Sequence, residues 1–121
     1  MKNVFLSLSV VVSVLHAGSS AQAQPNGRAL FEARCGGCHS LTPAPGKMGP
    51  PLKGVVGRKP GAAAGYNYSD ALKRSKTTWN AASLDAFLAA PGKAVPGTKM
   101  MVGVSVADQR AAIIAYLSSQ K

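Results

Sequence analysis

Apolar side chains recur at helical spacing near the end of the chain. In residues 105–120 (SVADQRAAIIAYLSSQ) the apolar positions Val106, Ile113 and Leu117 form one stripe along the helix. Ala107, Ala111 and Ile114 lie beside this stripe. Ser105 and Asp108 stand in an arrangement like a capping box, in which two side chains bond to free backbone N–H groups at a helix start. The pattern therefore predicts an amphipathic terminal helix that begins near Ser105.

Three shorter stretches also have helical patterns. Residues 26–34 (NGRALFEAR) and 69–75 (SDALKRS) each begin with a residue that can cap a helix. A third helix is predicted to start at Asn80 and to end at Pro91. The apolar faces are Leu30 and Phe31 on the first of these helices and Leu84, Phe87 and Leu88 on the third.

The segments between these stretches are hostile to regular structure. Residues 40–65 are rich in glycine and contain Pro43, Pro45, Pro50, Pro51 and Pro60, and a second loop covers residues 93–104. No alternating strand pattern is visible. The sequence predicts an all-α fold of four or so short helices, with long loops that wrap something other than their own side chains.

The first residues have the pattern of a secretory signal peptide. Lys2 gives a positive start, residues 4–15 are mostly apolar, and Ala21, Gln22 and Ala23 form a small-residue cleavage pattern. The apolar run is shorter than the roughly 20 residues that a membrane-spanning helix needs. We expect cleavage after Ala23, so that residues 1–23 are a signal peptide and residues 24–121 form one small soluble domain in the periplasm.

The net charge of the chain indicates what kind of partner it binds. It has 14 Lys and Arg against 4 Asp and Glu, a formal net charge of +10. The basic residues are scattered, and an exported protein seldom meets nucleic acid, so an acidic protein surface is the better candidate partner. We expect no nucleic-acid binding, no membrane insertion and a monomeric protein.

Residues 34–40 read RCGGCHS, and three kinds of chemistry use such a motif. Two thiols three positions apart with His39 after the second is the arrangement of a covalent c-type haem attachment site. Zinc would need four ligands, and residues 24–121 contain only Cys35, Cys38 and His39 as soft ligands of that class. A disulfide or a thiol-disulfide enzyme is the third interpretation, but the βαβ pattern of thioredoxin-like proteins is missing. The motif favours one haem held through Cys35 and Cys38.

A haem iron needs ligands, and the chain offers few. His39 is the only histidine that remains after removal of the signal peptide, because His16 lies within it. The other soft candidates are Met48, Met100 and Met101. Composition does not choose among these three methionines, each of which could also fill a gap in a small core.

The order of several motifs resembles that of class I c-type cytochromes. The chain contains CGGCH, GPPLKGVVGRKPG, GYNYSDA, Trp79, PGTKM and IIAYL in the order of that family. The resemblance implies a cytochrome c fold around one haem c attached through Cys35 and Cys38, with the iron between His39 and Met100. It also implies an electron carrier and not an enzyme, working between respiratory or photosynthetic partners.

The same resemblance assigns further residues. It implies that the Pro50 carbonyl accepts a hydrogen bond from His39. It implies a set of residues that bond to or surround the haem propionates, namely Arg58, Tyr68, Ser69, Trp79 and Thr98. It implies contact between the first and last helices through Gly27, Phe31 and Tyr116. It implies basic docking positions at the haem edge, namely Arg34, Lys47, Lys93 and Lys99.

Two positions depart from the mitochondrial branch of the family, and one alternative function stays open. Phe87 stands in place of a tyrosine and Leu72 in place of an asparagine, which predicts a drier pocket near the methionine sulfur. If Met100 did not bind the iron, an open distal position could instead handle peroxide or nitric oxide. The far-red absorption band of an iron–sulfur bond in the oxidised protein distinguishes these two functions.

Overall fold

The computed structural model describes residues 25–121, and the predicted signal peptide lies outside them. This part of the chain is helical, without strands: α1 is Gly27–Arg34, α2 is Asp70–Arg74, α3 is Ala81–Ala89, α4 is Pro91–Ala94 and α5 is Ala107–Ser119. The predicted all-α class is confirmed. No helix among these residues has the length and apolar character to cross a bilayer.

Three of the helices begin where their capping residues predict. The side chain of Asn26 accepts a hydrogen bond from the Ala29 N–H at 3.1 Å, and Ser69 Oγ accepts one from the Leu72 N–H at 3.2 Å. Asn80 and Ser83 form a reciprocal capping box, each side chain bonding to the other's backbone N–H at 2.9 Å. These bonds satisfy N–H groups that a helix start leaves without partners.

The terminal helix begins later than predicted. It starts at Ala107, and its N-cap residue Val106 makes no side-chain cap, so the predicted capping box of Ser105 and Asp108 is wrong. The Ser105 carbonyl instead accepts a hydrogen bond from Arg110 at 2.9 Å, which fits an extended segment. Val106 is 48% exposed and does not belong to the buried stripe.

The predicted end of α3 is correct, but a second short helix comes before the predicted loop. Ala90 has φ −156° and ψ 85°, which breaks the helix, and Pro91 then begins the short helix α4. A proline at the first helical position costs no hydrogen bond, because a backbone N–H at that position has no partner within the helix. The sequence prediction missed this helix.

The core lies where α1 and α3 pack against α5. Phe31 and Tyr116 lie with ring centroids 5.5 Å apart, and Ile113 is fully buried between the helices. The buried apolar residues of the core are Phe31, Val55, Trp79, Leu84, Phe87, Leu88, Val104, Ile113, Ile114 and Leu117. The predicted contact between the first and last helices is present.

Gly27 permits the close approach of α1 to α5, and this contact gives a stability prediction. A Cβ atom at Gly27 would collide with the Ala112 carbonyl oxygen and lie 2.9 Å from Cβ of Tyr116. We expect Gly27→Ala to lower the free energy of unfolding by about 1–3 kcal/mol, measured by urea denaturation. Gly92→Ala is the matched control, because its nearest neighbour is the end of the Met101 side chain at 3.9 Å. Equal stability of the two variants would contradict the prediction.

The predicted irregular segment, residues 40–65, contains no helix and is held by backbone hydrogen bonds to distant parts of the chain. The N–H of Gly54 donates to the Gln120 carbonyl at 2.7 Å, and that of Gly57 donates to the Trp79 carbonyl at 2.7 Å. Trp79 in turn donates to the Arg58 carbonyl at 2.9 Å. These bonds give a fixed course to a segment that has no regular structure of its own.

Candidate functional site

The cysteine motif forms a tight turn directly after α1. The Cys35 N–H continues the helical pattern by donating to the Phe31 carbonyl at 2.8 Å, and the His39 N–H donates to the Cys35 carbonyl at 2.8 Å. This turn brings Cys35, Cys38 and His39 together. Both cysteines are free and half-buried, so no disulfide joins them here.

The environment of Cys35 disfavours the thiolate form. Burial raises the pKa of Cys35 above its ordinary value, and the neighbouring Cys38 acts in the same direction. A thiolate is the reactive form for disulfide exchange, so a raised pKa disfavours that chemistry at neutral pH. This observation weakens the thiol-disulfide alternative.

His39 is held in one orientation by the loop that follows it. Its Nδ1 lies 2.8 Å from the Pro50 carbonyl oxygen, the hydrogen bond that the resemblance implied. A carbonyl can only accept, so Nδ1 donates this hydrogen bond, and Nε2 is the ring nitrogen with the free lone pair in the neutral form. A Cβ atom on Gly49 would lie 2.7 Å from Nε2, so only glycine lets the loop pack against the ring.

The three methionines differ sharply in exposure. Met48 is 74% exposed and Met101 is 76% exposed, whereas Met100 is half-buried and packs against the core. The Met100 N–H donates to Thr98 Oγ1 at 3.3 Å, and Thr98 is itself buried. Burial therefore distinguishes Met100 from Met48 and Met101, which composition could not do.

The polar residues of the sequence-predicted set are mostly buried, but they have different partners. Tyr68, Ser69, Trp79 and Thr98 are all buried, and Arg58 is half-buried. Arg58 donates to the Pro51 carbonyl at 2.9 Å and to the Lys53 carbonyl at 3.2 Å. The hydroxyl of Ser69 already caps α2.

Tyr68 and Arg58 act on each other electrostatically. Burial raises the pKa of Tyr68, while the charge of Arg58 and a hydrogen bond with the Ala63 backbone oppose that rise. The phenol therefore stays neutral and can donate a hydrogen bond to an anionic acceptor. A buried donor beside a guanidinium group suits a carboxylate ligand such as a haem propionate.

Residues 66–68 connect the two sides of the site, which the sequence analysis missed. The Tyr66 hydroxyl donates to the Met48 carbonyl at 2.9 Å, next to the loop that orients His39. Lys99 Nζ donates to the Asn67 carbonyl at 2.6 Å, next to Met100. Tyr66 also packs edge-on against Tyr68, with centroids 4.8 Å apart. The aromatic pair in GYNYSDA was the available signal.

The candidate docking residues include two lysines with structural contacts. Lys47 Nζ donates to the Gly36 carbonyl within the cysteine motif at 2.6 Å, and Lys99 has the contact described above. Both side chains are otherwise exposed, as are those of Arg34 and Lys93. The four residues thus place positive charge beside the cysteine motif and along the segment from α4 to Met100.

The sequence profile of the cytochrome c family matches residues 25–121. The chain belongs to the cytochrome c family. Cytochrome c2 of Rhodomicrobium vannielii is 40% identical over 124 residues, covering 99% of this chain and 98% of that protein. Cytochrome c of Euglena viridis is 45% identical over 96 residues, covering 78% of this chain and 94% of that protein.

A solved structure agrees with the sequence comparisons. Cytochrome cH from Methylobacterium extorquens superimposes with a TM-score of 0.72 and 46% sequence identity, covering 81% of this chain and 99% of that chain. The class I c-type cytochrome that the motifs indicated is confirmed, as is the cytochrome c fold. Cytochromes c are electron-transfer proteins and not enzymes, so this chain carries electrons by means of a haem and acts with redox partners.

Haem c is the cofactor of this cytochrome, attached covalently through Cys35 and Cys38. The residues present fit this group. Both thiols are free, the turn places His39 directly beside them, and the bond to Pro50 leaves Nε2 of the ring available for an iron ion. Thioether bonds to the haem use both thiols, and within residues 25–121 neither cysteine forms a disulfide.

The two residues that the resemblance singled out, Phe87 and Leu72, are apolar and packed. Phe87 is 7% exposed, and its ring centroid lies 5.1 Å from that of Trp79. Leu72 is half-buried and packs against the core cluster. Neither side chain can form a hydrogen bond with a water molecule.

Proposed function

We propose that this cytochrome shuttles single electrons between redox partners, with the haem iron bound by Nε2 of His39 and the sulfur of Met100. The observation that carries the ligand assignment is the burial of Met100 among three methionines of which the other two are exposed. The haem supplies a one-electron iron couple when it is bound. Histidine with methionine favours a raised reduction potential, which suits a carrier.

The protein's own part in the proposed function is to hold this ligand set still. Pro50 fixes the His39 ring, and the segment 66–68 ties the histidine side of the site to the loop of Met100. Apolar Phe87 and Leu72 keep water from that side. A rigid, dry site changes little when its charge changes, so electron transfer needs little rearrangement.

We assign to the haem propionates the set Arg58, Tyr68, Ser69, Trp79 and Thr98. The support is their burial together with the charge of Arg58 and the neutral phenol of Tyr68. We also propose export to the periplasm, cleavage after Ala23 and a monomeric mature protein of residues 24–121. Turnover with candidate membrane complexes distinguishes respiratory from photosynthetic partners.

A redox titration of the purified holoprotein tests the proposed function. We expect a reversible one-electron transition and, in the oxidised form, a far-red band from iron–sulfur bonding. Turnover of peroxide or fast binding of nitric oxide at neutral pH, together with a missing far-red band, would instead support an open distal site.

The proposed docking of acidic partners gives a kinetic prediction. Reversing Lys47 and Lys99 to glutamate should lower the second-order rate of electron transfer to an acidic partner complex by about tenfold at low ionic strength. The effect should shrink as salt is added, because salt screens exposed charges. Stopped-flow kinetics with the holoprotein measure it.

The control variant reverses Lys76 and Lys121, two exposed lysines outside the proposed docking set. It makes the same change in net charge, so a local docking face predicts a much smaller effect. Equal rate losses in the two variants would show that only the overall charge matters. Thermal melts of both variants check that the lost contacts to Gly36 and Asn67 have not unfolded the site.

A further inference from the structure

Arg110 is the most heavily bonded charged side chain away from the proposed ligands. It lies on α5, and only 12% of its side chain is exposed. Its Nε donates to Asp85 Oδ1 on α3 at 2.7 Å, and its Nη1 donates to the Val104 carbonyl at 3.0 Å and the Ser105 carbonyl at 2.9 Å. One guanidinium group thus joins two helices to the end of the segment that carries Met100.

That segment, residues 95–106, is anchored at its two ends. At its start, the Val95 N–H donates to the Pro91 carbonyl at 2.9 Å, and the Thr98 N–H donates to the Val95 carbonyl at 3.0 Å. At its end, the Val104 N–H donates to the Leu88 carbonyl at 2.7 Å, and Arg110 holds the Val104 carbonyl. Val104 is therefore bonded through both of its backbone polar groups.

The residues between these anchors have less support. Met101 and Val102 are 76% and 70% exposed, and Gly103 is exposed as well. Gly103 passes so close to α3 that a Cβ atom would lie 2.7 Å from the Leu88 carbonyl oxygen. The anchor at Val104 is consequently the first pair of backbone hydrogen bonds after Met100.

We infer that Arg110 is a positioning residue that, oriented by Asp85, holds the Met100 sulfur against dissociation through the Val104 anchor. This inference rests on the proposed binding of Met100 to the iron. Arg110 is mostly buried although the Asp85 side chain is 48% exposed, and hydrogen bonds from a charged donor are stronger than those between neutral groups. Their loss should therefore free the Met100 segment well before the helices separate.

Imidazole is a suitable probe, because it can take the position of Met100 on the oxidised haem only when that side chain has moved away. In the oxidised holoprotein, we expect Arg110→Gln to raise imidazole affinity about tenfold, which corresponds to about 1.4 kcal/mol. Asp85→Asn should act in the same direction with a smaller effect, and Arg110→Lys should fall between Arg110→Gln and the unaltered protein. Hydrogen exchange at the Val104 N–H should accelerate in parallel.

Two controls separate positioning from general weakening. Gly27→Ala weakens the contact of α1 with α5 and leaves both anchors of the segment in place, so it should lower global stability with little change in imidazole affinity. Arg28→Gln removes the same charge from the exposed pair with Glu32 and should change neither quantity. If Arg110→Gln does not fold, Asp85→Asn and Arg110→Lys still decide the question.

The outcomes distinguish this inference from the proposed function. If Met100→Ala abolishes the far-red band while the Arg110 and Asp85 variants bind imidazole like the unaltered protein, the positioning role is overturned and the ligand assignment stands. If imidazole affinity follows global stability equally in Gly27→Ala and Arg110→Gln, the positioning role is also overturned. If the unaltered oxidised protein has no far-red band and Met100→Ala leaves imidazole binding unchanged, both fail.

Discussion

Replacing both Cys35 and Cys38 by serine should yield an exported polypeptide that carries no covalent haem and does not fold cooperatively. The two thiols are the attachment points, and the long loops of residues 40–65 and 95–106 have few buried apolar side chains of their own. Losing the group that they enclose should remove stability comparable with that of the whole domain, about 5–15 kcal/mol. Intact-protein mass spectrometry and thermal melts followed by circular dichroism measure the two results.

The single replacements Cys35→Ala and Cys38→Ala are the graded controls. Each leaves one thiol to form one thioether, so we expect reduced yield with some haem still attached and a melt at lower temperature. His39→Ala should keep both attachment residues and lose the ring that Pro50 orients. A double serine variant that melts cooperatively at the temperature of the unaltered protein would show that the polypeptide core alone holds the fold.

The large effect expected here follows from how little core the chain builds by itself. Among residues 25–121, only Ile113 is a large side chain with essentially no exposure. The core gathers where α1, α3 and α5 meet, while the segment from Ser40 to Tyr68 is held mainly by backbone hydrogen bonds. A small domain of this kind needs an additional source of stability, which a covalently bound cofactor provides.

Local capping interactions could be predicted from the sequence, and competing distant ones could not. Asn26, Ser69 and Asn80 each act on a backbone group three residues away, so the residue type and its position are enough. The start of α5 was predicted wrongly: the helix begins at Ala107, and Arg110 binds the Ser105 carbonyl while it also bonds to Asp85, which lies 25 residues away in the chain. The short helix α4 was missed because its proline and glycine are typical of loops.

The candidate site divides in the same way. The spacing of the cysteine motif could be interpreted from the residues themselves, whereas the bond between His39 and Pro50 was implied by the family resemblance. The contacts of Tyr66 with Met48 and of Lys99 with Asn67 span 18 and 32 residues, and no sequence period reports such pairs. The resemblance had already implied Met100 as the ligand, and the structure adds a difference in burial between Met100 and the two exposed methionines.

Met100→Ala should abolish the far-red band of the oxidised protein and lower its reduction potential. The loss of a thioether ligand that stabilises reduced iron should lower the potential by on the order of 0.1 V, within the roughly 0.8 V range that haem axial ligands span. Absorption spectroscopy and voltammetry of the holoprotein measure the two quantities. The change should also open the distal position to added ligands such as imidazole.

Met48→Ala and Met101→Ala are matched controls, because each removes the same kind of side chain. Met101 directly follows Met100, and Met48 lies in the irregular segment 40–65. Both methionines point largely into solvent, at 74% and 76% exposure, so neither variant should change the band or the potential. Loss of the band in Met101→Ala with its retention in Met100→Ala would move the ligand by one residue. Because Met100 is half-buried and Met101 is 76% exposed, that result would require the segment to turn over so that the two side chains exchange places.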